Sequence, residues 1–160
     1  MFKYILQLFV GIFTLLLSTL MARYEGSAIT YDSLEWGYST PFTKLFNIEI
    51  TSGHDISQLD YFVYAAKFQP LFPAIMMVSV FYILSIVGYY LIKKKPKLAI
   101  GFWGVIGSVM LLLSGFIINS STIGGRVHFW IILVSGIISI SVATFVCIRN
   151  FKHEVTVGTN

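Results

Sequence analysis

Residues 4–21, 71–92, 98–118 and 127–148 of this chain contain no Asp, Glu, Lys or Arg. Each run is 18 to 22 residues long, roughly 27 to 33 Å as an α-helix, which matches the hydrocarbon thickness of a bilayer. A backbone in lipid must satisfy its own hydrogen bonds, so such runs become helices. The fourth run holds twelve Leu, Ile, Val or Phe residues from Phe129 onward, an insertion preference of at most roughly 4 to 7 kcal/mol. Composition agrees. Of 160 residues 56% are apolar and 11% charged, with a mean hydropathy of +0.81, and a soluble domain this small could not hide that much apolar surface.

The formal charge of +4 does not point to nucleic acid, because the basic residues sit at the ends of apolar runs instead of forming a patch on a polar surface. They set orientation, since Lys and Arg near span ends stay on the cytoplasmic side. The turn Lys93, Lys94, Lys95, Pro96, Lys97 is the decisive signal. Placing it inside also puts Lys3, Arg149 and Lys152 inside, and leaves Arg23, Lys44, Lys67 and Arg126 outside. Both termini are then cytoplasmic. Six of the seven acidic residues fall in residues 22–70, the segment this topology puts outside. A basic start before an apolar run also resembles a signal peptide. Leu20 is too bulky for the small-x-small cleavage pattern before Ala22, so the first span is expected to be retained.

Residues 22–70 are too long for a bare connection, so local structure is expected there. Residues 46–51 alternate apolar and polar at the strand period before the turn signal Ser52-Gly53, and 27–31, rich in β-formers, is the candidate partner of a short β-hairpin. From Ser57 the period becomes helical. Leu59, Phe62, Val63 and Ala66 share a face, Ser57 and Asp60 have capping-box spacing, and Pro70 stops the helix. Residues 57–68 are expected to lie along the outer membrane interface as an amphipathic helix. Trp36, Tyr38, Phe42, Tyr61 and Tyr64 belong to a dense aromatic set with two readings: anchoring at headgroup depth, or a docking surface for another membrane protein.

Small residues mark where helices approach in lipid. Gly101, Gly104, Ser108 and Gly115 form one stripe on the third span, and Ser135, Ser139, Ala143 and Cys147 a ladder on the fourth. The first expectation is that the stripes face each other within one molecule, and the alternative is a homo-oligomer seam. The one cysteine, Cys147, excludes an intrachain disulfide framework and a Cys-x-x-Cys site. His54, His128 and His153 have no metal-binding spacing, and no hydrolase, metalloprotease or phosphate-loop motif is present. No cofactor is implied, and no span carries the ionisable residue typical of a transport path.

The runs Tyr24-Glu25-Gly26-Ser27, Trp36-Gly37-Tyr38-Ser39-Thr40-Pro41-Phe42 and Asp55-Ile56-Ser57-Gln58-Leu59-Asp60-Tyr61-Phe62-Val63-Tyr64-Ala65-Ala66-Lys67 resemble the small uncharacterised YjdJ-like membrane proteins of Bacillus-type bacteria. The resemblance covers about the first 90 residues. It implies a bacterial plasma-membrane location and carries no activity or functional residue with it. Tetraspan junction proteins of animals share the four-pass layout, but their first outer loop needs a cysteine pair that is missing here.

The expected fold is therefore all-α. Residues 1–160 form one membrane domain, a four-transmembrane-helix bundle whose extracytoplasmic segment 22–70 carries the interfacial helix and the short hairpin. The expected function is that of a non-enzymatic accessory or interaction protein, with an oligomeric channel or transporter component as the alternative. Its partners are the lipid bilayer and either a second copy or another membrane protein. Replacing Lys93, Lys94, Lys95 and Lys97 with Gln should scramble the orientation reported by a C-terminal topology reporter. An unchanged orientation would show that the turn does not set it.

Overall fold

The computed structural model describes residues 2–158, with side chains for 3–151. The basic tail residues Lys152 and His153 have side chains outside that range. Among the described residues six α-helices follow one another: α1 (Phe2–Gly26), α2 (Pro41–Leu45), α3 (Gln58–Phe68), α4 (Leu71–Lys94), α5 (Pro96–Ile117) and α6 (Ile123–Gly158), with 3-10 turns at Ser27–Tyr31, Ser33–Glu35 and Gly53–Asp55. Four of them, α1, α4, α5 and α6, are long and apolar enough to cross a membrane.

The long helices run up and down. Tyr4 of α1 meets Tyr89 of α4, with ring centroids 6.1 Å apart, and Lys95, Pro96 and Asn150 line one hollow at that same end. The start of α1, the end of α4, the start of α5 and the Asn150 region of α6 therefore gather with the Lys93 turn on one side. Lys95 alone separates α4 from α5 (φ −144°, ψ 74°), because the residue before Pro96 is pushed out of helical geometry while Pro96 itself suits a first helical position. The return turn from α5 to α6 is closed by Thr122, whose hydroxyl accepts the Gly125 N–H at 3.1 Å.

Packing divides the bundle into pairs. The α5·α6 contact is the most extensive, α1·α4 comes next, and α4 joins the two pairs. The α5 side of its seam is Ala99, Trp103, Gly107 and Ser114, facing Ser135, Ser139, Ala143 and Val146, all buried, on α6. Gly107 lets α6 come close: a Cβ there would lie 2.7 Å from Ile140 Cδ1. The Trp103 ring lies on Gly88 of α4, where a Cβ would meet the indole at 2.3 Å. Ser18, Ser114 and Ser139 return their hydroxyls to carbonyls of their own helices, so these polar groups are satisfied without water.

Several expectations are corrected. The third-span stripe does not meet the fourth span: Gly101, Gly104 and Gly115 have open space where a Cβ would stand, and Ser108 is exposed. The glycine at the seam is Gly107, roughly a quarter-turn around the helix from that stripe. On α6 the ladder stops at Ala143, and Cys147 is exposed. The described residues contain no strand. Residues 27–31 extend α1 as a 3-10 turn, because the Ser27 and Thr30 hydroxyls bond back to Tyr24 and Ser27 carbonyls and Ile29 is fully buried. In 46–51 the alternation is broken at Asn47 (φ 54°), and the Thr51 and Ser52 amides go to the Asp55 carboxylate instead of a partner strand.

The helix expected from Ser57 is present as α3, but it is seated across the bundle end against α1, α4 and α6. Two glycines bring its backbone that close. A Cβ on Gly26 of α1 would lie 1.9 Å from the Tyr61 carbonyl, and one on Gly124 of α6 1.9 Å from the Ala66 carbonyl. Substituting Gly107→Leu should overpack the α5·α6 seam and cost about 1 to 3 kcal/mol, lowering the melting midpoint in detergent. Gly104→Leu, in open space, should leave the midpoint of the dissociated monomer unchanged, and equal losses there would contradict the assigned seam.

Candidate functional site

The segment between α1 and α4 forms a cap over one end of the bundle. Its helix α2 has five residues, far too few to persist alone. Pro41 supplies the first-turn geometry, but Thr40 makes no side-chain cap. The missing cap comes from α3. The Asp60 carboxylate accepts the Phe42 N–H at 2.9 Å, the Thr43 N–H at 2.8 Å and the Thr43 hydroxyl at 2.5 Å. Thr43 Oγ1 in turn accepts the Ser57 N–H at 2.8 Å. A carboxylate at a helix start satisfies unpaired amides and meets the positive end of the helix dipole. Asp60, Thr43, Ser39 and Thr40 are all fully buried, so removal of one partner would leave the others without water to replace it.

A second set of bonds ties α3 to the turns after α1. Lys67 Nζ lies 2.6 Å from Glu35 Oε2, a half-buried ion pair, and Ser39 donates to the same carboxylate oxygen at 2.6 Å. The bond from Lys67, followed by that from Ser39, holds the Glu35 carboxyl below its ordinary range. Tyr64 donates to Asp32 Oδ2 at 3.1 Å. Burial, followed by that bond, raises the Tyr64 phenol. Trp36 Nε1 donates to the Ile29 carbonyl at 2.8 Å. The capping box belongs to Ser52 and Asp55. At Ser57 only half of one forms, its hydroxyl accepting the Leu59 N–H at 3.4 Å, because Asp60 is engaged on α2.

The proposed aromatic surface is therefore divided. Tyr38 is 82% exposed, whereas Trp36, Phe42, Tyr61 and Tyr64 are half-buried and belong to the framework. Tyr31 at 93% and Leu34 at 84%, in the turns before Tyr38, are also strongly exposed, which single residue types in an irregular stretch did not reveal. Asp60, Thr43, Glu35 and Lys67 were also not legible as pins, since their partners lie 17 to 32 residues away. His54 is exposed, and the described residues hold no group of three or more His, Cys, Asp or Glu that could take a metal. His128 is buried on α6 with Nδ1 2.6 Å from the Gly124 carbonyl. Lys93, Lys94, Lys95 and Lys97 are exposed at the opposite end from the cap.

One family, described as "Domain of unknown function (DUF4306)", matches residues 5–92, which takes in α1, the cap and nearly all of α4. The chain is similar to "Uncharacterized protein YjdJ" of Bacillus subtilis (strain 168), with 35% identity over 83 residues, 51% of this chain and 76% of that protein. No solved structure matches.

The Asp55 carboxyl carries a pH prediction. The Thr51 hydroxyl, then the Ser52 and Thr51 amides, lower it from 3.8 to about 2. A carboxyl lowered in the folded state stabilises the fold where it is ionised, and that contribution fades as pH falls from 3.8 through about 2. A carbon-13 titration of the Asp55 carboxyl should show a midpoint near 2, and Asp55→Asn should remove the matching loss of stability in acid. A midpoint at 3.8 would mean that the capping box does not hold in solution.

Proposed function

The chain belongs to the DUF4306 family, a domain of unknown function, and from that premise we propose a non-enzymatic accessory protein of the plasma membrane. In this reading it crosses the bilayer four times, with both termini and the 93–97 turn cytoplasmic and the cap outside. The cap recognises another membrane protein. The observation that carries this is the division of labour within the cap. Its carboxylates at 35, 55 and 60 are engaged in holding it together, while Tyr31, Leu34 and Tyr38 project outward. A preformed aromatic surface binds with little ordering cost, and Tyr is favoured at interfaces for its apolar body and polar tip. Leu59 and Phe68, exposed on α3, would rest at headgroup depth and set the height of the cap.

Self-association is a second element of this reading, supported by the open space beside Gly101, Gly104 and Gly115 on the outer side of α5. Gly104→Leu would then reduce assembly in mild detergent, and assembly unchanged by it would exclude that seam. The retention of buried hydroxyls within their own helices supports a packed bundle over a water path.

Photocrosslinking in native membranes tests the recognition surface. A benzophenone side chain at Leu34 or Tyr38 should give a protein adduct of one defined mass. The same probe at Leu112, exposed on α5, should give lipid. Lipid and self adducts alone from the cap positions would remove the accessory reading.

A further inference from the structure

At the end of the bundle opposite the cap, a crevice of about 710 Å³ opens between α4 and α6. Ile92, Val142, Phe145 and Val146 contribute its apolar walls, and Lys93 and Arg149 are among its lining residues. This volume lies within the roughly 300 to 1,000 Å³ of pockets that hold small molecules. Among the described residues neither cation has a carboxylate in salt-bridge contact. Six of the seven acidic residues lie in 22–70, and the seventh, Glu154, has its side chain outside the described range. Lys93 is instead held beside neutral rings, 3.4 Å from the Tyr4 hydroxyl and 4.6 Å from the centre of the Tyr89 ring. The crevice thus combines two positive charges with an apolar wall, in helices long and apolar enough to cross a membrane.

We propose that this crevice binds one anionic phospholipid, its phosphate between Lys93 and Arg149 and an acyl chain against Ile92, Val142, Phe145 and Val146. The proposal rests on the membrane-spanning reading given above. Basic pockets between membrane helices suit such headgroups because a phosphate meets the charges while its tails stay in the hydrocarbon. The site differs from general attraction to a basic surface in being confined to these two cations. Lys94 and Lys95 lie at the same end but do not line the crevice.

The test uses the full chain in neutral detergent, titrated with dioleoylphosphatidylglycerol or dioleoylphosphatidylcholine, with bound lipid counted by native mass spectrometry. One phosphatidylglycerol should bind in preference to phosphatidylcholine. The Lys93→Gln/Arg149→Gln pair should weaken it roughly 30-fold, and the Lys94→Gln/Lys95→Gln pair should leave it unchanged. Val142→Trp, which keeps both cations and fills the crevice, should also lose the lipid. Equal weakening by the two charge pairs, or no preference between lipids, would overturn the proposal. So would displacement of phosphatidylglycerol by inorganic phosphate, which would assign the cations to a free anion. Alkaline extraction of the same proteins from membranes separates the two failures: a chain that washes off refutes the spanning reading, and one that stays without lipid preference refutes only this site.

Discussion

The buried Asp60 carboxylate is the interaction on which the cap depends. The five residues of α2 cannot form a stable helix by themselves, and their free amides are closed by a group supplied from α3, 17 and 18 residues away. The bond is reciprocal in effect. Asp60 orders α2, and Thr43 on α2 accepts the Ser57 amide that opens α3. Neither short helix can leave without exposing buried polar atoms of the other. The Glu35 to Lys67 pair and the Tyr64 to Asp32 bond then fix α3 against the turns that follow α1.

From α3 the constraint passes into the bundle through backbone contact. Gly26 and Gly124 have no side chain to hold the α3 carbonyls away, so α3 bridges α1 and α6, helices that belong to different packed pairs. Below it, the helices approach closely, the kind of contact that would hold them together in lipid, where apolar burial offers little. Gly88 under Trp103 and Gly107 beside Ile140 serve that purpose. The part matched by the family, residues 5–92, coincides with the unit formed by α1, the cap and α4. The helices α5 and α6 make a hairpin packed chiefly on itself.

The long helices were legible because a run without charge that is long enough to cross a bilayer could satisfy its backbone there only as a helix, and all four runs are helical. Pro70, Pro96 and Ser57 marked boundaries correctly because they act on their own neighbours. The errors lie where the outcome depends on distant atoms. Residues 46–51 have a strand's alternation, yet a strand needs a partner ladder, and Asp55 took those amides first. The Gly101 stripe had the right residue type at the right spacing, but spacing does not say which face meets a neighbour, and Gly107 holds that place. Asp60 read as half of a capping box for its own helix, whereas burial against α2 gave it different donors.

The most direct measurement is amide hydrogen exchange in the full chain carrying Asp60→Asn. The amide side chain brings donors of its own to face those of Phe42 and Thr43. Leaving such groups unsatisfied costs about 1 to 3 kcal/mol. Exchange at Phe42, Thr43 and Ser57 should then accelerate roughly 5- to 150-fold, while the middles of α4, α5 and α6 keep their protection. Protection at those three amides equal to that of the unaltered chain would contradict the account.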